Sequence, residues 1–462
     1  MSVFHPKRTR RVASHRSLDA HGEMSRQTRC IQLPTGLHSG GTTLKIGLVA
    51  FVVAVALGTT SAFAEAPAPR ARDLGVPFDG SPGPNNAITD VAGVEVGFKT
   101  LISGDGPLVR GKGPVRTGVT AIFPRGKHDG RAVFAGFFAG NGNGDMTGTH
   151  WLEESGVLET PITITGTGSV GVVRDATFAW LAAHRKGYFW YPVSAETADV
   201  PLNDMVGQHV TKQDTFDALE SAKSGPVAEG NVGGGTGMVC NGFKGGTGTA
   251  SRKLAEDAGG YTVGVLVQCN YGRANQLRVA GIPVAREMKL QPRCVSQLTT
   301  PPQEQEGSIA TLCNPKLVAI ADPANEEHRG SIIIVIATDA PLTAEQLKRL
   351  ARRATVGLGR LGAIESDGSG DIFIAFSTAN VGADEGNWDE DNKPAQIKRL
   401  RSESLNPLFE ATVQGVEESV INALVAARTM TGADYWTVSA LPQKQLQEIL
   451  RRHAMLDENP AR

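Results

Sequence analysis

HRGSIIIVIATDAP, residues 328–341, places a small Gly-Ser pair directly before an uninterrupted apolar run. Every residue from Ile332 to Ile336 is β-branched, and Asp339-Ala340-Pro341 closes the run. A short continuous apolar run of this kind is typical of a strand that is covered on both faces of its sheet. The stretch therefore predicts a buried central strand with Ser331 at its edge.

Composition limits the kinds of function that are open to the chain. Its 462 residues are 40 % hydrophobic and 20 % charged, which is enough for one large core or two ordinary ones. The net charge is −1, with both signs mixed along the sequence, so no overall field attracts nucleic acid or an anionic membrane. We expect no nucleic-acid partner.

Residues 1–64 have the features of a leader with a signal peptide. Lys45 precedes the apolar run IGLVAFVVAVAL, Gly58 ends it, and Ala62-Phe63-Ala64 has the small-x-small pattern of a cleavage site. The run is short for a bilayer span, although an uncleaved N-terminal anchor is the alternative. We expect the mature protein to begin near Glu65, to be periplasmic or secreted, and to have no membrane contact once the leader is removed.

The order of elements favours an α+β fold. Strand-like and helix-like segments follow one another without strict alternation, which favours a layered sandwich over a doubly wound sheet. No internal repeat and no clear domain boundary is visible between residues 75 and 440. Strands are predicted at 94–98, 118–123, 132–140, 261–272 and 371–378, and helices at 170–185, 211–225, 342–362 and 406–429.

The sequence lacks the motifs of several common binding and catalytic sites. The glycine-rich loops at 230–238 and 244–251 do not continue into Gly-Lys-Ser/Thr or into a dinucleotide-binding context. The chain has no Gly-x-Ser-x-Gly elbow and no histidine spaced to serve a serine or a metal. We therefore expect no metal and no cofactor.

Four cysteines remain after the predicted leader, namely Cys240, Cys269, Cys294 and Cys313. None forms a Cys-x-x-Cys pair, which disfavours zinc. A disulfide between Cys294 and Cys313 and two buried thiols are the alternatives for the second pair.

The remaining possibility is a serine whose own α-amino group acts as its base. An α-amine has a pKa of about 7.7–8.0, so it can take a proton from its own hydroxyl near neutral pH. Cleavage between Gly330 and Ser331 would free such an amine at the start of the predicted strand. An ordinary serine at a strand start is the alternative.

Eight ordered motifs give the chain a resemblance to a known family. Together they resemble the L-aminopeptidase/D-Ala-esterase/amidase family, which includes the β-peptidyl aminopeptidases, over about residues 90–434. The motifs are GDMTGTHWLEESG (144–156), SVGVVRDA (169–176), PLNDMVGQHVT (201–211), SGPVAEGNVGGGTGMVC (224–240), FKGGTGTASR (243–252), VGVLVQCNYG (263–272), GSIIIVIATDAPL (330–342) and GSGDIFIAFST (368–378).

The resemblance implies a self-cleaving precursor with an N-terminal nucleophile. It implies a four-layer α/β/β/α sandwich similar to the self-processing aminopeptidase and ornithine acetyltransferase folds. Cleavage would give an α chain, 65–330, and a β chain, 331–462, of one catalytic domain. It also implies a homo-oligomer of cleaved protomers, a homotetramer.

Four catalytic residues follow from the same resemblance. Ser331 is the nucleophile, and Asn270 matches the asparagine whose amide helps to hold the oxyanion. Ser369 and Asp371 match the serine and the acidic residue that orient and charge-balance the new N-terminus, although better-studied members carry Glu at the position of Asp371. Turn residues before a strand are the alternative for this last pair.

Two departures from the family pattern stand out. Where active members have a tyrosine that helps to hold the oxyanion, the chain has Ala198 within ETADV, residues 196–200. A methyl group donates no hydrogen bond, so acyl transfer should be slower unless Tyr271 or a backbone N–H substitutes. The second departure is an insertion at 289–328, directly before the expected cut.

An aminopeptidase must also hold the free ammonium of its substrate, which calls for a carboxylate. Asp145 and Glu153, in the GDMTGTHWLEESG motif, are the substrate-binding candidates. Solvated loop acids are the alternative reading of both.

These observations predict a self-processing serine aminopeptidase or amidase. It would release N-terminal amino acids from short peptides, amides or esters through an acyl-enzyme on Ser331. The alternatives are an acyltransferase similar to ornithine acetyltransferase, and a catalytically impaired periplasmic relative with a binding or structural role, which Ala198 favours.

Overall fold

The computed structural model describes residues 69–187, 189–288, 294–295, 311–312, 330–382 and 395–458. The predicted leader and most of the 289–328 insertion lie outside the described residues, as does Cys313. None of the helices in the described ranges has both the length and the apolar content that a bilayer span requires.

Sixteen strands are present in the described part of the chain. They are β1 Glu95–Ser103, β2 Val115–Phe123, β3 Val133–Gly142, β4 Val157–Leu158, β5 Ile162–Gly166, β6 Val193–Thr197, β7 Val239–Cys240, β8 Phe243–Lys244, β9 Gly246–Lys253, β10 Thr262–Asn270, β11 Cys294–Val295, β12 Thr311–Leu312, β13 Gly330–Thr338, β14 Ser369–Ser377, β15 Met430–Thr431 and β16 Trp436–Val438.

Eight α-helices accompany these strands within the described ranges. They are α1 Thr149–Ser155, α2 Val170–His184, α3 Lys212–Glu220, α4 Val284–Glu287, α5 Ala344–Ala351, α6 Ala354–Arg360, α7 Asn406–Ala426 and α8 Gln443–Arg452. Helices and strands from all parts of the described chain contribute, and the α+β class is confirmed.

Two sheets organise the molecule. One has the strand order β1-β2-β5-β6, and the other has the order β4-β3-β14-β13-β10-β9. Helices α2 and α3 pack on strands of the first sheet, whereas α5 and α7 pack on strands of the second. Apolar side chains of both sheets, among them Ile122, Ile164 and Ile333, form one shared cluster.

Strand β13 lies inside the six-stranded sheet, and every residue from Ser331 to Thr338 is buried. Ile333 and Val335 belong to the cluster that the two sheets share. Ile332, Ile334 and Ile336 belong to a second cluster, which includes residues of α5 and α7. The predicted strand with two covered faces is confirmed.

The predicted helix at 342–362 is wrong as a single element. The structure has two helices there, α5 and α6, with a break at Arg352 and Arg353. The reason is packing, because α5 lies against β3 and β14 whereas α6 lies against α7. One straight helix cannot serve both surfaces.

Candidate active site

The candidate nucleophile lies where three strands run side by side. In β13, Ser331 is opposite Asn270 of antiparallel β10 and beside Gly370 of parallel β14. Gly330 is likewise beside Ser369. The predicted residues Ser331, Asn270, Ser369 and Asp371 therefore come together at one end of the sheet, although they are far apart in sequence.

Gly330 has no room for a side chain. A Cβ atom there would come within 2.9 Å of both the Asn270 carbonyl oxygen and the Tyr271 Cα. The close approach of these two strands explains why glycine precedes the serine.

Strand alternation divides the four residues between the two faces of the sheet. Ser331 shares a face with Ile333 and Val335, so its side chain points toward the first sheet. Asn270 shares that inner face, which Leu266 also occupies. Ser369 and Asp371 alternate with the inner-face residue Ile372 and therefore point to the outer face.

The amide of Asn270 is oriented by two backbone groups. Its Oδ1 accepts a hydrogen bond from the Val239 N–H at 2.8 Å, and its Nδ2 donates to the Ala198 carbonyl at 2.9 Å. A carboxamide nitrogen carries two hydrogens, so one remains for an oxyanion beside Ser331. The side chain suits the role that the sequence predicts for it.

Ser369 and Asp371 form a buried pair on the outer face. The Ser369 hydroxyl donates to Asp371 Oδ1 at 2.7 Å. Burial raises the pKa of Asp371 to about 6, the Ser369 hydrogen bond opposes this rise, and the nearby Glu365 adds to it. The pair lines a cleft together with Tyr271, Gln276 and Glu365.

Tyr271 does not substitute for the missing tyrosine at position 198. It packs in the outer cluster with residues of α5 and α7, on the other face of the sheet from the Asn270 amide. Burial and the charge of Asp371 raise the pKa of its hydroxyl. Ala198 itself is partly exposed, and its carbonyl is the group that meets Asn270.

The two predicted substrate-binding acids have different surroundings. Asp145 is exposed, and its backbone N–H donates to Glu196 Oε1 at 2.8 Å. Glu153 is exposed on α1 and forms an ion pair with Lys348 of α5.

Glu196, a buried acid near the nucleophile, is not among the site residues that the sequence predicts. It lies in β6 with 5 % exposure and accepts hydrogen bonds from the Asp145 N–H and the Thr167 hydroxyl. A Cβ at Gly144 would lie 3.0 Å from Glu196 Oε1 and 3.6 Å from the Cα of Gly370, the neighbour of Ser331. Burial raises the pKa of Glu196. The feature of the sequence that could have indicated Glu196 is an acidic residue inside the strand-like run VSAET, residues 193–197.

Residues 86–438 match the family model of Peptidase family S58. The chain belongs to peptidase family S58.

Similar proteins in this family are named aminopeptidases. The chain is 52 % identical over 396 residues to beta-peptidyl aminopeptidase BapA of Sphingosinicella microcystinivorans, covering 85 % of this chain and 94 % of that protein. It is 46 % identical over 408 residues to BapA of Sphingosinicella xenopeptidilytica, covering 87 % and 95 %.

Solved structures agree with these matches. A beta-aminopeptidase of Burkholderia sp. aligns with a TM-score of 0.71 at 44 % identity, covering 83 % of this chain and 99 % of the other. The L-aminopeptidase D-Ala-esterase/amidase of Ochrobactrum anthropi aligns with a TM-score of 0.72 at 42 % identity, covering 84 % and 99 %. The latter is described as a prototype for the serine aminopeptidases and a variant of the Ntn hydrolase fold.

S58 membership confirms the predicted family and the predicted class of enzyme, a serine aminopeptidase. The fold is confirmed as an α+β variant of the Ntn hydrolase fold. The roles of the individual site residues stay predictions.

The cysteines of this S58 chain pair in a way that the sequence did not predict. Cys240 and Cys269 form a disulfide across 29 residues of sequence, with their Cα atoms 5.5 Å apart. The expected alternatives for Cys294 and Cys313 concern side chains outside the described residues. No cluster of three or more His, Cys, Asp or Glu side chains suited to a metal occurs among the residues that the structure describes.

Proposed function

We propose that this S58 peptidase cleaves itself between Gly330 and Ser331 and then releases N-terminal residues from short peptides, amides or esters through Ser331. The observation that carries the proposal is the strand register, which places Ser331 opposite Asn270 and beside Gly370, with Ser369 and Asp371 on the neighbouring strand. No cofactor takes part in the proposed chemistry.

Self-cleavage would use the serine hydroxyl and water. The Ser331 oxygen attacks the Gly330 carbonyl carbon, the hydroxyl proton passes to the Ser331 nitrogen, and the C–N bond breaks to give an ester and a free amine. Water then hydrolyses the resulting ester, which leaves a carboxylate on Gly330 and a free α-amine on Ser331.

Turnover would use that amine as the base. The neutral amine takes the proton of its own hydroxyl, and the oxygen attacks the carbonyl carbon of the substrate's first residue. The Asn270 amide donates to the oxyanion that forms. The ammonium then protonates the leaving amine, and water releases the acyl group from Ser331.

Ser369 and Asp371 would balance the charge of the new N-terminus. An ammonium at Ser331 favours the ionised form of a nearby carboxyl group. The buried Asp371, whose pKa lies at about 6 without this ammonium, is therefore suited to gain a charged partner on cleavage.

Glu196 is the acid that we assign to the substrate's ammonium. It is buried close to Gly144 and Gly370, whereas Glu153 is exposed and already paired with Lys348. A buried carboxylate gains more from a bound cation than an exposed one does.

The substrates that we propose first are peptides with an N-terminal β-amino acid. Support comes from the BapA proteins, which are named beta-peptidyl aminopeptidases and share 52 % and 46 % identity with this chain. Ala198, which replaces the family tyrosine, leaves a catalytically impaired relative as the second candidate.

We also infer the finer architecture, the location and the assembly. Helices α2 and α3 on one sheet and α5 and α7 on the other support a four-layer α/β/β/α arrangement. The leader composition supports a periplasmic or secreted protein, and the family resemblance supports a homotetramer.

A substrate panel tests the proposed activity. Purified cleaved protein is assayed on p-nitroanilides of β-homoamino acids and L-amino acids, on D-alaninamide, and on acetylornithine. We expect fastest release from the β-homoamino acid compounds. Transfer from acetylornithine would favour the acyltransferase, and cleaved protein without activity on any compound would favour the impaired relative.

A further inference from the structure

A buried hairpin lies beside the end of β10, where Asn270 is found. Strands β7 and β8 pair as Val239 with Lys244 and Cys240 with Phe243. Asn241 and Gly242 form the turn with φ values of 48° and 76°, as two-residue hairpin turns favour. We call residues 239–244 the clamp hairpin.

Three consecutive residues of the clamp hairpin are tied to the end of β10. The Val239 N–H donates to Asn270 Oδ1 at 2.8 Å, and the Asn241 N–H donates to the Tyr271 carbonyl at 2.7 Å. Between them, Cys240 is bonded to Cys269. The disulfide thus lies one residue away from the Val239–Asn270 hydrogen bond on both strands.

This arrangement decides which atom Asn270 presents to the reaction. The Val239 N–H holds the amide oxygen, so the amide nitrogen faces the other way, toward the Ala198 carbonyl. A rotated amide would present its oxygen instead, and an acceptor repels an oxyanion. The correct rotamer therefore depends on the position of the hairpin.

Lys244 secures the base of the same hairpin. Its Nζ donates to the Met238 and Gly245 carbonyls at 2.8 Å each, and its backbone N–H donates to the Ser439 carbonyl at 2.7 Å. The side chain is fully buried. Met238 directly precedes Val239, and Cys240 directly follows it. Lys244 and the disulfide therefore restrain the residues on both sides of the Val239 N–H.

We propose that the clamp hairpin, held by the Cys240–Cys269 disulfide, is a positioning device for the Asn270 amide. The inference rests on the proposed function, in which Asn270 donates to the oxyanion. Cys240, Cys269 and Lys244 act through Asn270, and they touch neither substrate nor the reacting atoms. The rate of hydrolysis then depends on an intact disulfide even in a variant that still folds without it.

The test removes the disulfide and compares rate with binding. Cleaved wild type and the Cys240→Ala/Cys269→Ala variant are assayed on the compound that wild type hydrolyses fastest. We expect kcat to fall about 10- to 100-fold, the cost of a small misplacement, with KM little changed. Leu181→Ala of α2, in a core cluster that contains no residue of the clamp hairpin, controls for lost stability and should keep its kcat.

A double-mutant cycle separates positioning from general damage. In an Asn270→Ala background the loss of the disulfide should cost no further activity, because the group that it positions is gone. An equal additional loss in that background would overturn the inference and leave the proposed function intact. Full activity of Asn270→Ala itself would instead contradict the proposed function.

A second variant covers the case in which the double cysteine variant does not fold. Lys244→Met keeps a long apolar stem but removes the contacts to the Met238 and Gly245 carbonyls. We expect the same selective fall in kcat, absent again in the Asn270→Ala background. An unchanged kcat in folded Lys244→Met would contradict the proposal.

Discussion

At the scale of single residues, the site depends on which face of the sheet each side chain occupies. Ser331 and Asn270 share the inner face, whereas Ser369 and Asp371 lie on the outer face with Tyr271. The N-terminal amine of a cleaved Ser331 would lie at the strand end between the two groups. The oxyanion and the ammonium would then be stabilised from opposite sides of one strand.

Removing the Asn270 amide should slow acyl transfer. Asn270→Ala is expected to lower kcat about 100- to 1000-fold, the usual cost of one lost oxyanion donor. Steady-state kinetics on the preferred compound measures this. Asn380→Ala is the control, because the Asn380 amide bonds only the backbone of Lys398 in the described structure. Equal kcat values for the two variants would contradict the assigned role.

Asp371 should make the uncleaved chain less stable as the pH rises. Its pKa is about 6 in the folded chain against an ordinary 3.8, so the folded state binds more protons between these values. The contribution of Asp371 to the free energy of unfolding is fully present below about pH 4. It is lost as the pH rises from there through 6, by up to roughly 3 kcal/mol in all.

Urea unfolding between pH 4 and 7 tests this pH dependence. Ser331→Ala serves as the parent, because the uncleaved chain carries no free amine at residue 331. Ser331→Ala/Asp371→Asn should show a shallower fall of stability with pH. Asp199, whose pKa burial also raises to about 6, contributes equally to both chains. Identical slopes would contradict the raised pKa of Asp371.

At the scale of elements, strands and helices with a strong local sequence pattern were predictable. Elements whose ends are set by packing against their neighbours were not. The β-branched run of β13 and the long helix α7 followed from local sequence. The break between α5 and α6 did not, because the helical pattern continues through it while the packing partner changes. The clamp hairpin carries the Asn-Gly turn signal, but its strands have only two residues each.

Glycine at position 248 should be required for packing between β9 and α7. A Cβ there would lie 2.0 Å from the Ser419 carbonyl oxygen and 2.7 Å from the Ala423 Cβ. Gly248→Ala is therefore expected to lower the free energy of unfolding by about 1–3 kcal/mol.

Gly171→Ala is the matched control, since a Cβ at Gly171 in α2 meets nothing within 4 Å. It should be neutral or stabilise by up to about 1 kcal/mol. Denaturant unfolding of both variants compares them. A Gly248→Ala chain as stable as wild type would show that α7 can move away from the sheet.

At the scale of the whole molecule, a buried ionic cluster ties the N-terminal segment to the core. Glu418 of α7 has no exposure and bonds Arg72 at 2.8 Å and Arg252 of β9 at 2.8 Å. Nearby positive charges lower the pKa of Glu418 despite its burial. These three residues come from distant parts of the chain.

Removing that charge should be costly. Glu418→Gln leaves the buried Arg252 without its carboxylate and is expected to lose about 3–5 kcal/mol of unfolding free energy. Glu417→Gln is the control, because its pair with Arg360 is partly exposed and should contribute at most about 1 kcal/mol. Similar losses for both variants, measured by urea unfolding, would contradict this assignment.

The sequence predicted the family, the class of fold and the residues that the strand register later brought together. It did so because Ser331, Asn270, Ser369 and Asp371 lie in distinctive local motifs. Glu196 and the Cys240–Cys269 disulfide were missed, because their significance depends on contacts between β6, β7, β10 and β14 that no single motif contains.

The central claim is that Ser331 becomes the N-terminal nucleophile by self-cleavage. Intact mass and N-terminal sequencing of purified wild type and Ser331→Ala test it most directly. We predict two chains from wild type, the smaller being residues 331–462 and beginning Ser-Ile-Ile-Ile, and one uncut chain from the variant. A single uncut chain from both proteins, or the same cut in both, would contradict it.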